Sequence, residues 1–264
     1  MHQLTYTLVK ETLSSLGIKG GDGVLVHSAL HFLGKPEGGM KMILSAFATV
    51  LGIDLNTTEN GASQGTLVVP TFNFAFARGE PFDLHQTPSA GMGVFSEYVR
   101  QHRLAQRSPH PLQSVAVIGR HAADLASRHT SGAFDAGSAF DRMVALDFKI
   151  VLLGADVQAI SLLHYAEQRV GVPYRYWKEF RGQVRLNDQW EERTYRMYVR
   201  DLDLNPHLDL HPVQYRLQEQ GKWHQQPLNY GFISTCRMRD FVSMVEEFLT
   251  ADPWSLVTNR PDVP

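Results

Sequence analysis

Cysteine is almost missing from this chain: Cys236 is the only one in 264 residues. A disulfide framework is thereby excluded, and a reducing compartment such as the cytoplasm fits best. Net charge is equally scarce, at -2 with 25 basic and 27 acidic residues. Nothing in that balance draws the chain to nucleic acid or to an anionic membrane. No apolar run reaches the roughly 20 residues that span a bilayer, and Met1-His2-Gln3 does not begin a secretory signal. Several catalytic signatures are absent as well. There is no Gly-x-Ser-x-Gly elbow and no His-Glu-x-x-His pair, and Gly91-x-Gly93 lacks the third glycine of a dinucleotide fingerprint. The twelve histidines include His27 with His31 and His121 with His129, but neither pair has an obvious third ligand, so no metal is assigned. Cys236, inside the strand-like run Phe232–Cys236, reads as a buried structural thiol.

What is present is a regular alternation of elements. Hydrophobic residues make up 43% of the chain, enough for one core across 1–264. Helical spacing marks 5–16, 40–51 (Met40, Ile43, Leu44, Phe47, Val50, Leu51), 93–103, a segment from about His121, another ending at Leu146, and 159–169. Continuous apolar runs at 23–27, 66–69, 113–118 and 149–154 read as buried strands. A polar turn covers 56–64, and the connection 71–90 is too irregular for a packed element. Strands and helices in this order predict a layered α/β sheet covered on both faces. After Pro173 the texture alternates more, with strands over 180–186, 190–200 and 231–235, a turn at Asn187-Asp188, and a closing helix carrying Phe241, Val242, Val245, Phe248 and Leu249. The chain divides on this reading into an α/β part, 1–172, and an antiparallel and helical part, 173–264.

Two segments carry the chemistry. His164 and Glu167 lie three apart on a helix and share a face, where a carboxylate can fix the tautomer of an imidazole and raise its basicity. The same spacing also serves ordinary structural ion pairs. In Arg107-Ser108-Pro109-His110-Pro111, the prolines hold His110 extended, and Ser114 opens the next strand. His110 and Ser114 could be base and nucleophile of a hydrolase, or Ser114 could donate to an oxyanion or thioester. Ser28 and Thr71 end buried strands, where they could meet a ligand or cap a turn. Tyr174-Arg175-Tyr176-Trp177-Lys178 could stack on a sugar and grip a phosphate, or form a plain amphipathic strand.

Taken together, these motifs resemble the aminoglycoside 3-N-acetyltransferase family, which is distinct from the GNAT fold. The resemblance rests on His27-Ser28-Ala29-Leu30, Gly65-Thr66-Leu67-Val68-Val69-Pro70-Thr71-Phe72, Gly91-Met92-Gly93, Arg107 through Ser114 and Gly119, Gly137-Ser138, Leu152-Leu153-Gly154 and Leu163-His164-Tyr165-Ala166-Glu167, in family order over roughly residues 5–170. It implies transfer of an acetyl or short acyl group from acetyl-CoA to an amine, with no metal. His164 and Glu167 would then be catalytic, with His110 a second base. His27, Ser28, Ala29, Leu30, Thr71, Phe72, Ser108, His110 and Ser114 would line the acyl-CoA site. Phe74, Asp156, Glu167, Tyr174 and Arg175 would face the acceptor. A polycationic aminoglycoside calls for carboxylates, whereas 173–178 is basic and aromatic, so the favoured acceptor is an amino sugar with an anionic, nucleotide-like handle. An aminoglycoside is the alternative. A Ser/His hydrolase and a non-catalytic CoA-binding protein are the rivals from other classes. A homodimer is compatible with the chain.

Overall fold

The four apolar runs all become strands, and all four stand side by side at the centre of one sheet. In the computed structural model, which describes residues 3–57, 59–60 and 63–260, the first elements are β1 (Gln3–Leu4), α1 (Tyr6–Ser15), β2 (Gly23–Ser28), β3 (Lys35–Pro36), α2 (Met40–Leu51) and β4 (Thr66–Pro70). The start Met1-His2 and positions 58, 61 and 62 of the expected polar turn lie outside the described residues. Next come β5 (Phe82–Asp83), α3 (Gly93–Arg100), β6 (Gln106–Arg107), β7 (Val115–Gly119), α4 (Ala122–Ala126), α5 (Ala139–Ala145) and β8 (Lys149–Leu153). The chain ends with α6 (Leu163–Val170), β9 (Arg175–Asn187), β10 (Gln189–Arg200), α7 (His211–Glu219), β11 (His224–Leu228), β12 (Gly231–Arg237) and α8 (Met238–Ala251).

A seven-stranded sheet runs β11-β12-β8-β2-β4-β7-β6. Strands β8, β2 and β4 are parallel, and the flanking pairs are antiparallel. The period-2 alternation of each strand divides two cores. On one face Leu25, Val68, Val117, Ile150 and Leu152 pack against α4, α5, α6 and α8. On the other, Val24, Val26, Leu67, Val69, Ile118 and Val151 meet α1, α2 and α3. The sheet is therefore covered on both faces, and the α/β architecture holds.

The chain beyond 173 does not form one antiparallel section. β9 and β10 make a long hairpin whose third strand is β5, from the irregular connection at 71–90. β11 and β12 instead extend the main sheet, with Cys236 of β12 opposite Ile150 of β8. Periodicity identifies a strand but not its neighbour, which is why the sequence grouped them together. The helix expected from 159 starts at Leu163, after a single 3-10 turn at Val157–Ala159. β9 starts at Arg175, five residues earlier than expected, so Tyr176, Trp177 and Lys178 are strand residues.

The parallel strands β2, β4 and β8 end at one edge, and Gly154 shapes it. It sits at φ +72, and a Cβ there would stand 2.6 Å from the Ala29 carbonyl oxygen. Only glycine lets β8 turn away so close to the end of β2. Gly154→Ala should lower the free energy of unfolding by about 2 kcal/mol, read by urea denaturation; a loss under about 0.5 kcal/mol would contradict this packing.

Candidate functional site

The edge at the end of β8 leads through the turn at Val157–Ala159 into α6, whose second residue is His164. The helix spacing does what it predicted. His164 Nδ1 lies 2.7 Å from Glu167 Oε2. With Nδ1–H donated to the carboxylate, the lone pair resides on Nε2, the nitrogen left for a ligand. Phe134 stands edge-on to the ring at 6.1 Å. Glu167 is completely buried, while the His164 side chain is 35% exposed. Burial alone would push the Glu167 carboxyl up, but contact with His164 and Arg175 holds it below the usual carboxylate range.

His164 opens into a cavity of about 490 Å³. Phe74, Gln113 and Phe134 form one side. Arg175 and the end of β10 (Met197 to Arg200) form another, and Pro206, His207 and Leu208 close the rim. Of the residues expected at the acceptor, Phe74, Glu167 and Arg175 belong to this place. Tyr174 does not face it: its ring is fully buried against Trp254, and burial together with the charge of Glu167 pushes its hydroxyl up. Asp156 lies on the neighbouring turn, paired to His211 at 3.4 Å.

Of the cations expected to grip a phosphate, Arg175 is turned inward, although Arg200 also lines the cavity. Arg175 Nε is 2.8 Å from Glu167 Oε2, Arg196 is 3.1 Å from Asp135, and Lys178 lies over the Phe180 ring. Of the cations in 173–178, Arg175 is committed within the protein, and Lys178 stays exposed. The connection that supplies Pro206, His207 and Leu208 to the rim was overlooked. It also carries Asp201, which accepts from the Asp203 N–H at 2.9 Å, and Asp209, which is paired to His211 at 2.7 Å. Its signal was present in Asp201-Leu202-Asp203-Leu204-Asn205-Pro206-His207-Leu208-Asp209, yet only the hairpin's closure brings that stretch beside α6.

His110 and Ser114 are turned away from the cavity. The His110 ring is buried; its Nδ1 accepts from the Gln113 backbone N–H at 3.1 Å, and Nε2 faces the Ser131 carbonyl at 3.3 Å. Neither nitrogen remains for a proton transfer. Ser114 Oγ donates to the Thr71 carbonyl at 3.0 Å and accepts from Arg107 Nε at 2.9 Å. A Ser–His pair does not exist here, so the hydrolase arrangement has no geometric basis. Arg107, buried without a carboxylate contact, also reaches the carbonyls of Leu84, Thr87 and Thr71 and stacks on Phe82 at 4.9 Å. Burial lowers its guanidinium to about 9.

Thr71, Phe72, Ser108 and His27 are buried too. Ser108 Oγ accepts from the Val115 N–H at 2.9 Å, and Phe72 packs on Phe140. Of the expected acyl-CoA residues, only Ser28, Ala29 and Leu30 keep exposed surface. Gly93, the first residue of α3, lies against them: a Cβ there would be 3.3 Å from the Ser28 carbonyl oxygen. The free N–H groups at that helix start, with Ser28–Leu30, are the parts that could hold a phosphate-bearing thioester. Among the described residues, no group of three or more His, Cys, Asp or Glu is placed to hold a metal ion. No described helix is long and apolar enough to cross a membrane.

Comparison with known proteins then places the chain. The profile of the aminoglycoside 3-N-acetyltransferase family matches residues 25–250. The chain belongs to that family. It is 30% identical over 181 residues to aminoglycoside N(3)-acetyltransferase III of Salmonella sp, covering 66% of this chain and 63% of the relative. The match thus spans a little under two thirds of that protein. A second relative, the SPbeta prophage-derived aminoglycoside N(3')-acetyltransferase-like protein YokD of Bacillus subtilis (strain 168), is 28% identical over 209 residues, 66% of this chain and 73% of YokD. Among solved structures, the apoenzyme of aminoglycoside acetyltransferase AAC(3)-IVa superposes with a TM-score of 0.78 at 23% identity, covering 99% of this chain and 93% of that one. AAC-IIIb in a binary complex with CoASH gives 0.79 at 18%, covering 98% and 100%. At such identities the likeness establishes the fold.

His27 and His110 offer a stability test. Burial lowers each from 6.5 to about 4, so both stay neutral in the fold while the unfolded chain takes up protons near 6.5. Unfolding therefore binds protons between about pH 6.5 and 4, and stability falls as pH drops through that window. Each histidine should remove about 2 kcal/mol between pH 7 and 5. Urea unfolding of His27→Leu at the two pH values should show roughly half of the two-histidine loss removed; an unchanged pH dependence would contradict it.

Proposed function

We propose that this chain transfers an acetyl group from acetyl-CoA to an amine of an aminoglycoside. The observation that carries the reading is the His164–Glu167 pair, opening on a cavity in a chain of this family. The acceptor follows first from the family, and Arg175, the cation at the cavity that favoured a nucleotide-linked sugar, is paired with Glu167. The names of the relatives agree with this acceptor. The anionic-handle acceptor is therefore set aside.

An alkylammonium has no lone pair, so its proton must leave before or during attack. His164 Nε2 takes that proton while Nδ1–H remains on Glu167, and the imidazolium forms beside a carboxylate that stabilises it. The amine nitrogen then bonds to the thioester carbonyl carbon, and the C–S bond breaks. The electron pair leaves on sulfur as the CoA thiolate, which takes the first proton from His164, while the acylated nitrogen loses its second proton to solvent to give the neutral amide. Direct attack in a ternary complex needs no acyl-enzyme, and neither Ser114 nor Cys236 is placed to form one, since Ser114 is held by Arg107 and Cys236 is buried on the other strand edge. Ser28–Leu30 and the start of α3 would receive the acetyl-CoA, and His110 keeps the cavity wall in shape.

Thiol release from acetyl-CoA, followed with a panel of aminoglycosides and nucleotide-linked amino sugars, tests the reading. Release should occur with aminoglycosides. Release confined to nucleotide-linked sugars, or none with either class, would overturn it. In the same assay His164→Ala should lower kcat by about 10²–10⁴-fold with acetyl-CoA affinity little changed.

A further inference from the structure

Arg175 stands out because its guanidinium, although it lines the cavity, is paired inside the protein. Its side chain is only 9% exposed, and Nε lies 2.8 Å from the same Glu167 oxygen that holds His164. Nη1 donates to the Tyr198 carbonyl at 3.2 Å. Tyr198 itself lines the cavity and is anchored by its hydroxyl to the Val172 carbonyl at 2.7 Å. One side chain thus joins the dyad on α6 to the β10 wall. We propose that Arg175 is a positioning residue for acetyl transfer, fixing the Glu167 carboxylate on His164 and setting the charge of the dyad.

The charge count gives the consequence. Glu167 and Arg175 together are neutral, so His164 gains its proton beside a compensated carboxylate. Without Arg175 a buried negative charge stands alone next to the imidazole and favours the protonated ring. The base would then be occupied by a proton at higher pH, where it cannot accept one from the amine. Other groups around His164 leave Arg175 as the main lever. Within α6, Arg169 is directed to Glu246. From the loop ahead of α5, Asp135 is taken up by Gln168 and Arg196. From β10 and the rim come Tyr198, Arg200 and His207. Tyr174, buried beside Glu167, has an unpartnered hydroxyl, and Glu167 Oε1 and Arg175 Nε likewise have no hydrogen-bond partner, so Arg175 meets Glu167 Oε2 as an ion pair.

The inference rests on the proposed N-acetyl transfer, but its test can be read without turnover. The pH titration of the His164 ring resonance, identified by its loss in His164→Ala, would be followed in native protein, Arg175→Met and Arg175→Lys. The midpoint should move up by about one pH unit in Arg175→Met and return toward the native position in Arg175→Lys, which keeps the charge. The acid limb of kcat/KM should move with it. Should Arg175→Met fail to fold, Arg175→Gln carries the same expectation. An unmoved midpoint in the neutral variant would overturn the proposal, leaving Arg175 as structural glue. Absence of thiol release from the native protein would instead count against acetyl transfer alone, since the titration needs no substrate.

Discussion

A carboxylate with no solvent contact is the constraint around which this site is arranged. Glu167 is fully buried, and an unpaired charge there would cost several kcal/mol. It stays ionised because His164 and Arg175 converge on one of its oxygens. The demand reaches outward from there. His164 is drawn to one orientation with Nε2 free, and Arg175 is drawn inward instead of toward an acceptor phosphate. Through Tyr198 it also fixes where the β9–β10 hairpin meets α6. Breaking a buried pair of this kind is far more damaging than never having had one, so the three residues behave as a unit.

The sheet supplies the rigid base for that unit. β8 delivers the chain to α6 at the edge where β2 and β4 also end, and Gly154 permits the close turn. A second buried cation, Arg107, gathers Thr71, Ser114 and the carbonyls of 84 and 87. That network ties β4, β6 and the 71–90 connection together behind Phe74, one of the cavity walls. His110 works in the same sense, bridging 110–113 to Ser131. Polar residues that look reactive in the sequence thus serve to hold backbone in place.

How much of this could be read in the residues depended on distance along the chain. The His164–Glu167 contact is a matter of three positions on one helix, and it was legible because helix geometry alone determines it. The two-faced α/β sheet was legible for the same reason, since apolar runs in strands report their own burial. His110 and Ser114 misled because adjacency in a motif does not say which way a side chain points, and both turn inward to satisfy backbone groups. Arg175 misled because a cation beside aromatic residues suggests a ligand until its buried counterion is located on another element. The acidic stretch 201–209 and the return of β12 to the main sheet are set by long-range pairing, for which no local pattern exists.

Glu167→Gln is the sharpest probe of the buried carboxylate, because it keeps the shape and removes the charge. Steady-state acetylation of an aminoglycoside should fall by about 10²-fold or more in kcat, with the protein folded and acetyl-CoA still bound. Turnover close to native in that variant would contradict a site organised around this charge.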